Sequence, residues 1–353
     1  MYLQGGIVLA QGMVNETGRA AKKVGRQSVL LEKKASLNYA ATVAGPKESL
    51  GPMAQYIDRC HVDNLLNEKS FEKAECHMLE EACYLTLGKA GLTPDDVDYF
   101  IAGDLLNQVI SANYCARKLS IPYFGLYGAC STLTEGLSLG AMLLEGGYGD
   151  HVLIATSSHN CTSERQYRFP TEYGYQRPGY AQWTVTGAGA VLLGSRGDGP
   201  RVESVTVGKI VDAGIRDPLN MGTAMAPAAA DTINQHLLDL ERVPGYYHMI
   251  ITGDLGNTGK QLNEDILLNQ GIDIRPNYSD CGVLIYHPQQ NVGAGGSGCA
   301  CSALVFLGFF LNQMLKQEIT RVLLVATGSL HSPTAIMQGE SMPGIAHAVS
   351  LEI

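Results

Sequence analysis

Cys130 lies in the run Gly128-Ala129-Cys130-Ser131, where a turn gives way to a helix. Unpaired backbone amides and the helix dipole stabilise a thiolate there, and the same amides can hold an oxyanion or a carboxylate. The alternative is a small buried thiol that packs the start of a core helix. A second set of polar residues follows a strand end, where α/β folds place ligands. It runs from Thr156 to Tyr173 and holds Ser157, Ser158, His159, Arg165, Arg168 and several aromatic residues. Two arginines can pair with carboxylates and rings can stack, so this set suits a small planar anion. Its plainer reading is a solvated connection, or a dimer-interface loop with ion pairs of its own. Asp104 and Asp254 stand in matching runs, Gly103-Asp104-Leu105 and Gly253-Asp254-Leu255, each at a strand end. Either could face the molecular centre or cap a neighbouring helix, and capping is the commoner fate. The run Gly293-Ala294-Gly295-Gly296-Ser297-Gly298 lacks the dinucleotide and P-loop spacings and reads as tight packing.

The elements that must position these residues alternate between strand and helix. Residues 70–90 read as a helix with Ser70 as its N-cap and Ala74, Met78, Ala82 and Leu85 at helical spacing. Thr93-Pro94-Asp95-Asp96 is a helix-start signal, with proline at the first position and acids in the first turn. Residues 97–103, 151–156 and 185–193 read as strands, and 130–146 as a buried helix. This alternation indicates layered α/β structure with buried sheets.

The pattern also repeats. Ala129-Cys130-Ser131 opens a helix leading to the strand that ends Ala155-Thr156-Ser157-Ser158, and Ala300-Cys301-Ser302 opens one leading to Ala326-Thr327-Gly328-Ser329. Ala129 to Ala155 and Ala300 to Ala326 are both separated by 26 residues. Upstream, residues 99–105 match 249–255. Three ordered matches imply duplication. The chain therefore divides into a leader at 1–23, polar and aperiodic, a first half at 24–199 and a second half at 200–353, joined at the turn-rich Ser195–Pro200.

The formal net charge of −9 disfavours binding to nucleic acid or anionic lipid through charge alone, so an anion must be held by a local cluster of donors. The nine cysteines form no Cys-x-x-Cys pair, which fits reduced thiols, and Cys299-x-Cys301 has no second ligand pair nearby to make a metal site. No apolar run approaches the ~18 residues a membrane span needs, and no signal peptide is evident.

A duplicated chain with Ala-Cys-Ser at the first buried helix resembles the thiolase and ketoacyl-synthase superfamily. That resemblance implies a thiolase-like five-layered αβαβα fold of two pseudo-repeated halves, usually a homodimer, with the cysteine as acyl carrier in the enzymes. Several strings are closer still to the stage V sporulation protein AD family. They include Ala102-Gly103-Asp104-Leu105-Leu106-Asn107-Gln108, Ala155-Thr156-Ser157-Ser158-His159-Asn160, Pro170-Thr171-Glu172-Tyr173-Gly174 and Ala294-Gly295-Gly296-Ser297-Gly298-Cys299-Ala300. The similar condensing enzymes need a histidine after the second-half strand and an asparagine before the second-half helix. Here those places read Gly253-Asp254-Leu255-Gly256 and Gly295-Gly296-Ser297-Gly298. The resemblance thus implies a binding protein for dipicolinic acid (pyridine-2,6-dicarboxylate), with calcium accompanying the ligand and no other cofactor. The expected ligand residues are Asp104, Cys130, Ser157, Ser158 and His159, with Arg165 and Arg168 as anion partners. The implied partners are membrane proteins of the stage V sporulation A group, and the implied location is peripheral, on the spore inner membrane. Two further readings compete: an acyltransferase that uses Cys130, and a scaffold without a ligand.

Overall fold

The computed structural model describes residues 22–32, 35–167 and 177–353. Ten strands carry the fold. The first half contributes β1 (Ser36–Ala44), β2 (Tyr99–Gly103), β3 (Tyr123–Gly125), β4 (His151–Ser158) and β5 (Gly187–Gly194). The second contributes β6 (Arg201–Thr206), β7 (Met249–Thr252), β8 (Tyr278–Asp280), β9 (Arg321–Ser329) and β10 (Gly344–Glu352). The spatial order is β3-β2-β4-β5-β1 in one half and β8-β7-β9-β10-β6 in the other. Numbered within its half, each sheet therefore reads 3-2-4-5-1, so the duplication seen in the residues extends to the connectivity. In both, the first three strands of the row are parallel and the last two antiparallel. A single Cα pair, Arg201 with Ser36, joins the two sheets edge to edge.

The helices repeat in the same way: α1 (Phe71–Ala90), α2 (Ile110–Leu119) and α3 (Thr132–Gly146), then α4 (Met221–Asp239), α5 (Gly256–Asn269) and α6. The last runs from Cys299–Val305 through a π turn, Phe306–Phe310, into Leu311–Leu315. Helices α1 and α2 cover the outer face of the first sheet, α4 and α5 that of the second. Helices α3 and α6 lie between the sheets. Their Leu133, Leu137, Leu304 and Phe306 share one core with Ile154 and Val191 of the first sheet and Leu324 and Val349 of the second. The layers are thus αβαβα, and strands buried on both faces carry the continuous Val/Ile/Leu runs that such a position demands.

Local signals act as expected at α1, where the Ser70 hydroxyl accepts the Lys73 amide at 3.3 Å and Gly91 closes the helix in left-handed conformation at φ 68°. Thr93 makes a capping box with Asp96, yet only a single 3₁₀ turn follows, Pro94–Asp96, because the chain must enter β2 three residues later. Most of the expected leader, residues 1–21, lies outside the described residues. Its last residue, Lys23, pairs with Val29 in a short hairpin. No described helix is long and apolar enough to cross a membrane.

Candidate functional site

The N-termini of α3 and α6 meet at the centre, and hydroxyls hold them there. Ser131 donates to Gly128 O at 2.7 Å and Thr132 to Ala129 O at 2.7 Å, closing the tight turn before α3. Ala129 has φ 47°, a left-handed conformation uncommon outside glycine, and it places Cys130 at the helix mouth. The Cys299 thiol donates to Ala129 O at 3.0 Å, tying α6 to the same turn.

The environment of the Cys130 sulfur differs from that expected of a nucleophile. Burial, first, and then the neighbouring Asp254 carboxyl and Cys299 raise its pKa well above that of an ordinary thiol. The helix start favours a thiolate, as the sequence suggested, but desolvation and the adjacent acid outweigh a screened helix dipole, so the group remains a thiol. Asp254 is itself fully buried. Its oxygens accept Gly298 N–H at 2.9 Å and the Thr327 hydroxyl at 2.8 Å. Burial pushes its carboxyl up to about 7, against the pull of those donors and of Cys130. Gly298 can approach this closely because it adopts φ 103°, and a Cβ there would lie 2.7 Å from Ser158 Oγ.

Beside Cys130 is a cavity of about 30 Å³, lined by Leu105, Tyr127, Ala129, Cys130, Ser163, Tyr167, Thr184, Met221, Ser297, Ser329 and His331. Tyr127 and Tyr167 share a hydrogen bond at 2.9 Å, and the Tyr167 and His331 rings lie 5.4 Å apart. Both phenols are held in their neutral, donating form chiefly by burial. Among the described residues, no Lys, Arg, Asp or Glu lines this space. Its polar wall consists of hydroxyls, one thiol and one imidazole.

Of the described residues expected to form one pocket, only Cys130 lines this cavity. Asp104 is fully buried behind Leu105, where its oxygens accept the Leu106 and Ala112 amides at 2.8 Å each. It caps the entry to α2, the commoner of its two expected fates. Ser157 donates to Glu75 at 3.1 Å. Ser158 donates to Val185 O at 2.7 Å and accepts Ala300 N–H at 3.1 Å, capping α6. His159 bonds Asn64 O at 2.9 Å and accepts Cys161 N–H, with its ring 5.3 Å from Phe71. Arg165 points outward and pairs with Glu72 at 3.4 Å, its side chain 59% exposed. The expected arginine clamp is therefore not at Cys130 so far as Arg165 is concerned, because that helix turns the guanidinium to the surface. Arg168 lies outside the described residues.

Two features escaped the sequence. Glu75, on α1, is fully buried and accepts from Ser157 and, at 2.8 Å, Thr162. Burial, then the neighbouring Asp104, raises its carboxyl; burial likewise raises Asp104. Ser329 and His331 were also missed, and Ser163 was read only as part of the Thr156–Tyr173 stretch. Ser329 could have been found by carrying Ser158 across the repeat.

These acids fix a pH dependence. Glu75, Asp104, Asp254 and Asp280 all have folded pKa values raised above those of the unfolded chain. Their stabilising contribution is complete below about pH 4 and is lost as pH rises through the folded values. His236 and His347 are held at about 3 and about 4 by burial; the unfolded imidazoles lose their charge by about pH 7.5, which offsets a small part of the loss. Stability is therefore expected to fall by roughly 1–2 kcal/mol between pH 6.5 and 8.5, read by urea denaturation at each pH. A flat or rising profile would show that these carboxyls ionise freely in the fold.

Comparison with known proteins agrees with this architecture. The family described as stage V sporulation protein AD (SpoVAD) matches residues 25–352. A protein named stage V sporulation protein AD from Bacillus subtilis (strain 168) is 48% identical over 331 residues, 94% of this chain and 98% of that protein. Among solved structures, 3-oxoacyl-[acyl-carrier-protein] synthase III from Aquifex aeolicus VF5 is similar with a TM-score of 0.57 at 13% identity, covering 90% of this chain and all of that one. Cerulenin-bound OleA of Xanthomonas campestris is similar with a TM-score of 0.61 at 15% identity, covering 92% of this chain and 98% of that one. At such identities the two structures speak for the fold alone.

Proposed function

The chain belongs to the stage V sporulation protein AD family, and from that premise we propose that it binds dipicolinic acid beside Cys130 and does not condense acyl groups. The supporting observation is that Cys130 opens on a cavity whose described lining holds no cationic side chain, while burial and the neighbouring Asp254 raise the thiol's pKa. A nucleophilic cysteine needs a cation or a base that draws its proton away. Here the neighbour is the buried Asp254 carboxyl, itself raised to about 7, and any charge on it makes the thiolate harder to form. The run before α6, Gly295-Gly296-Ser297-Gly298, holds no asparagine, so an enolate also lacks its usual amide donor. In this reading the protein receives pyridine-2,6-dicarboxylate, with or without calcium, during its entry into the developing spore and its release on germination. It works beside membrane proteins of the same group, at the surface of the spore inner membrane.

A cavity of about 30 Å³ holds little more than water, so the diacid enters only when its wall moves. The Tyr127–Tyr167 pair is the part of that wall held by a single hydrogen bond between side chains. Calorimetric titration of the full chain with pyridine-2,6-dicarboxylate, with and without calcium, tests the reading. Saturable binding that weakens at least tenfold in Cys130→Ala, about 1.4 kcal/mol, is expected. The absence of binding under both conditions would overturn it and leave the scaffold reading. One observation favours acyl transfer instead, namely that His331 lines the same cavity as Cys130. That alternative predicts a mass increase on Cys130 after incubation with acyl-CoA, and the binding reading predicts none.

A further inference from the structure

Duplication gives each half a serine in the same place. Ser158 and Ser329 each lie 29 residues beyond the alanine of an Ala-Cys-Ser run. Ser158 reaches across the molecular centre and accepts the amide of Ala300, the alanine of the opposite run. Under the same symmetry Ser329 would accept the amide of Ala129, but it does not. Ala300 lies within α6, whereas Ala129 is left-handed, so the two amides are presented differently. The Ser329 hydroxyl is left buried, 5% exposed as a residue, with no hydrogen-bond partner among the described residues, and Ser329 lines the Cys130 cavity. Ser163 is in the same condition. It comes from the first half, on the short helix Asn160–Tyr167; it is 4% exposed, its hydroxyl has no partner among the described residues, and it lines the same cavity.

A buried hydroxyl that donates to nothing is destabilising, and where it also faces a cavity a ligand can complete it. A carboxylate accepts several hydrogen bonds, and hydroxyl donors can turn to meet it without adding charge to the cavity. Resting on the binding reading above, we propose that Ser163 and Ser329 are the donors, one from each half, that hold a carboxylate of the bound diacid. Anion recognition then comes from neutral donors at the junction of the halves, with Arg165 remaining at the surface. Each half alone supplies one donor, so the ligand is held only when the two are docked.

The test is calorimetric titration of the full chain with pyridine-2,6-dicarboxylate in Ser163→Ala, Ser329→Ala and Ser302→Ala. Ser302 serves as the control, since it is fully buried and unpartnered on α6 but does not line the cavity. Loss of one hydroxyl donor to an anion is expected to weaken binding about tenfold in each of the first two variants and less than about twofold in the third. Without ligand, the thermal midpoints of Ser163→Ala and Ser329→Ala should hold or rise, because no protein hydrogen bond is removed. If the parent protein binds and both variants bind within twofold of it, the hydroxyl assignment fails while the binding reading stands. If their unliganded midpoints fall, the serines are structural and the assignment fails for that reason. If the parent protein does not bind, the binding reading and the assignment fail together.

Discussion

Replacing Gly328 with alanine is expected to destabilise the protein by about 3 kcal/mol or more, far beyond an ordinary glycine substitution in a strand. Gly328 lies near the end of β9, against the turn that precedes α3. An added Cβ would lie 2.3 Å from the carbonyl oxygen of Gly128, 3.2 Å from Ser131 N and 3.3 Å from the Ala129 Cβ. None of these is the free end of a flexible chain. Gly128 O already accepts both the amide and the hydroxyl of Ser131, so it cannot retreat without breaking the turn that presents Cys130. The second-half sheet must therefore withdraw from the first half's central helix. On the proposed reading, binding of the diacid should disappear along with stability, because the cavity lies on this junction. Gly88→Ala is the control: it sits within α1, a Cβ there would meet nothing within 4 Å, and the change should stabilise by about 0.5–1 kcal/mol. Urea denaturation of both variants measures the contrast. A loss of less than about 1 kcal/mol in Gly328→Ala would mean that strand and turn separate easily, and the central junction would not be the rigid frame described.

Gly328 also shows what the sequence could and could not disclose. In the repeat its counterpart is Ser157, whose side chain is accommodated because it turns to Glu75. The repeat announced that both positions exist at the ends of matching strands, and it made the layered architecture and the paired central helices legible. Ser70 announced the start of α1 by chemistry confined to four residues. The site was less legible because its contacts join residues far apart in the chain and break the symmetry that duplication created. Asp104 and Asp254 look alike in sequence. Asp104 caps its own α2, whereas in the second half Asp280 accepts the amides of Leu255 and Gly256, and Asp254 is left to face Cys130. Nothing local to Gly253-Asp254-Leu255 records that exchange. The Thr156–Tyr173 stretch was identified as polar and as following a strand, but its helical turn decides that Ser163 faces inward and Arg165 outward. Glu75 was hidden for the same reason. It stands beside Ala74 on α1, and only the opposing Ser157 and Thr162 make its burial tolerable.

That arrangement yields the second large effect. Glu75→Ala is expected to lower stability by about 3 kcal/mol, because the buried Ser157 hydroxyl loses its acceptor, Thr162 keeps only His159 O, and a void opens between α1 and the Asn160–Tyr167 helix. Glu75→Gln should behave differently. At neutral pH the carboxyl is held protonated by burial and by the nearby Asp104, so the native group is already a neutral one that both donates and accepts. Glutamine has the same length and the same capacity, and near pH 6.5 it should lie within about 1 kcal/mol of the parent protein. Above that pH the order should invert. The parent must ionise Glu75 as pH rises through its raised folded value, losing stability that the amide never had to lose. At pH 8.5 the Glu75→Gln variant should therefore be the more stable of the two, and its decline from pH 6.5 should be shallower. Denaturation curves for the parent, the alanine variant and the glutamine variant at both pH values separate the contributions. Should glutamine be as damaging as alanine at both, Glu75 must act as an anion; the hydroxyls of Ser157 and Thr162 would then be holding a charge, and the inverted pH order would not appear.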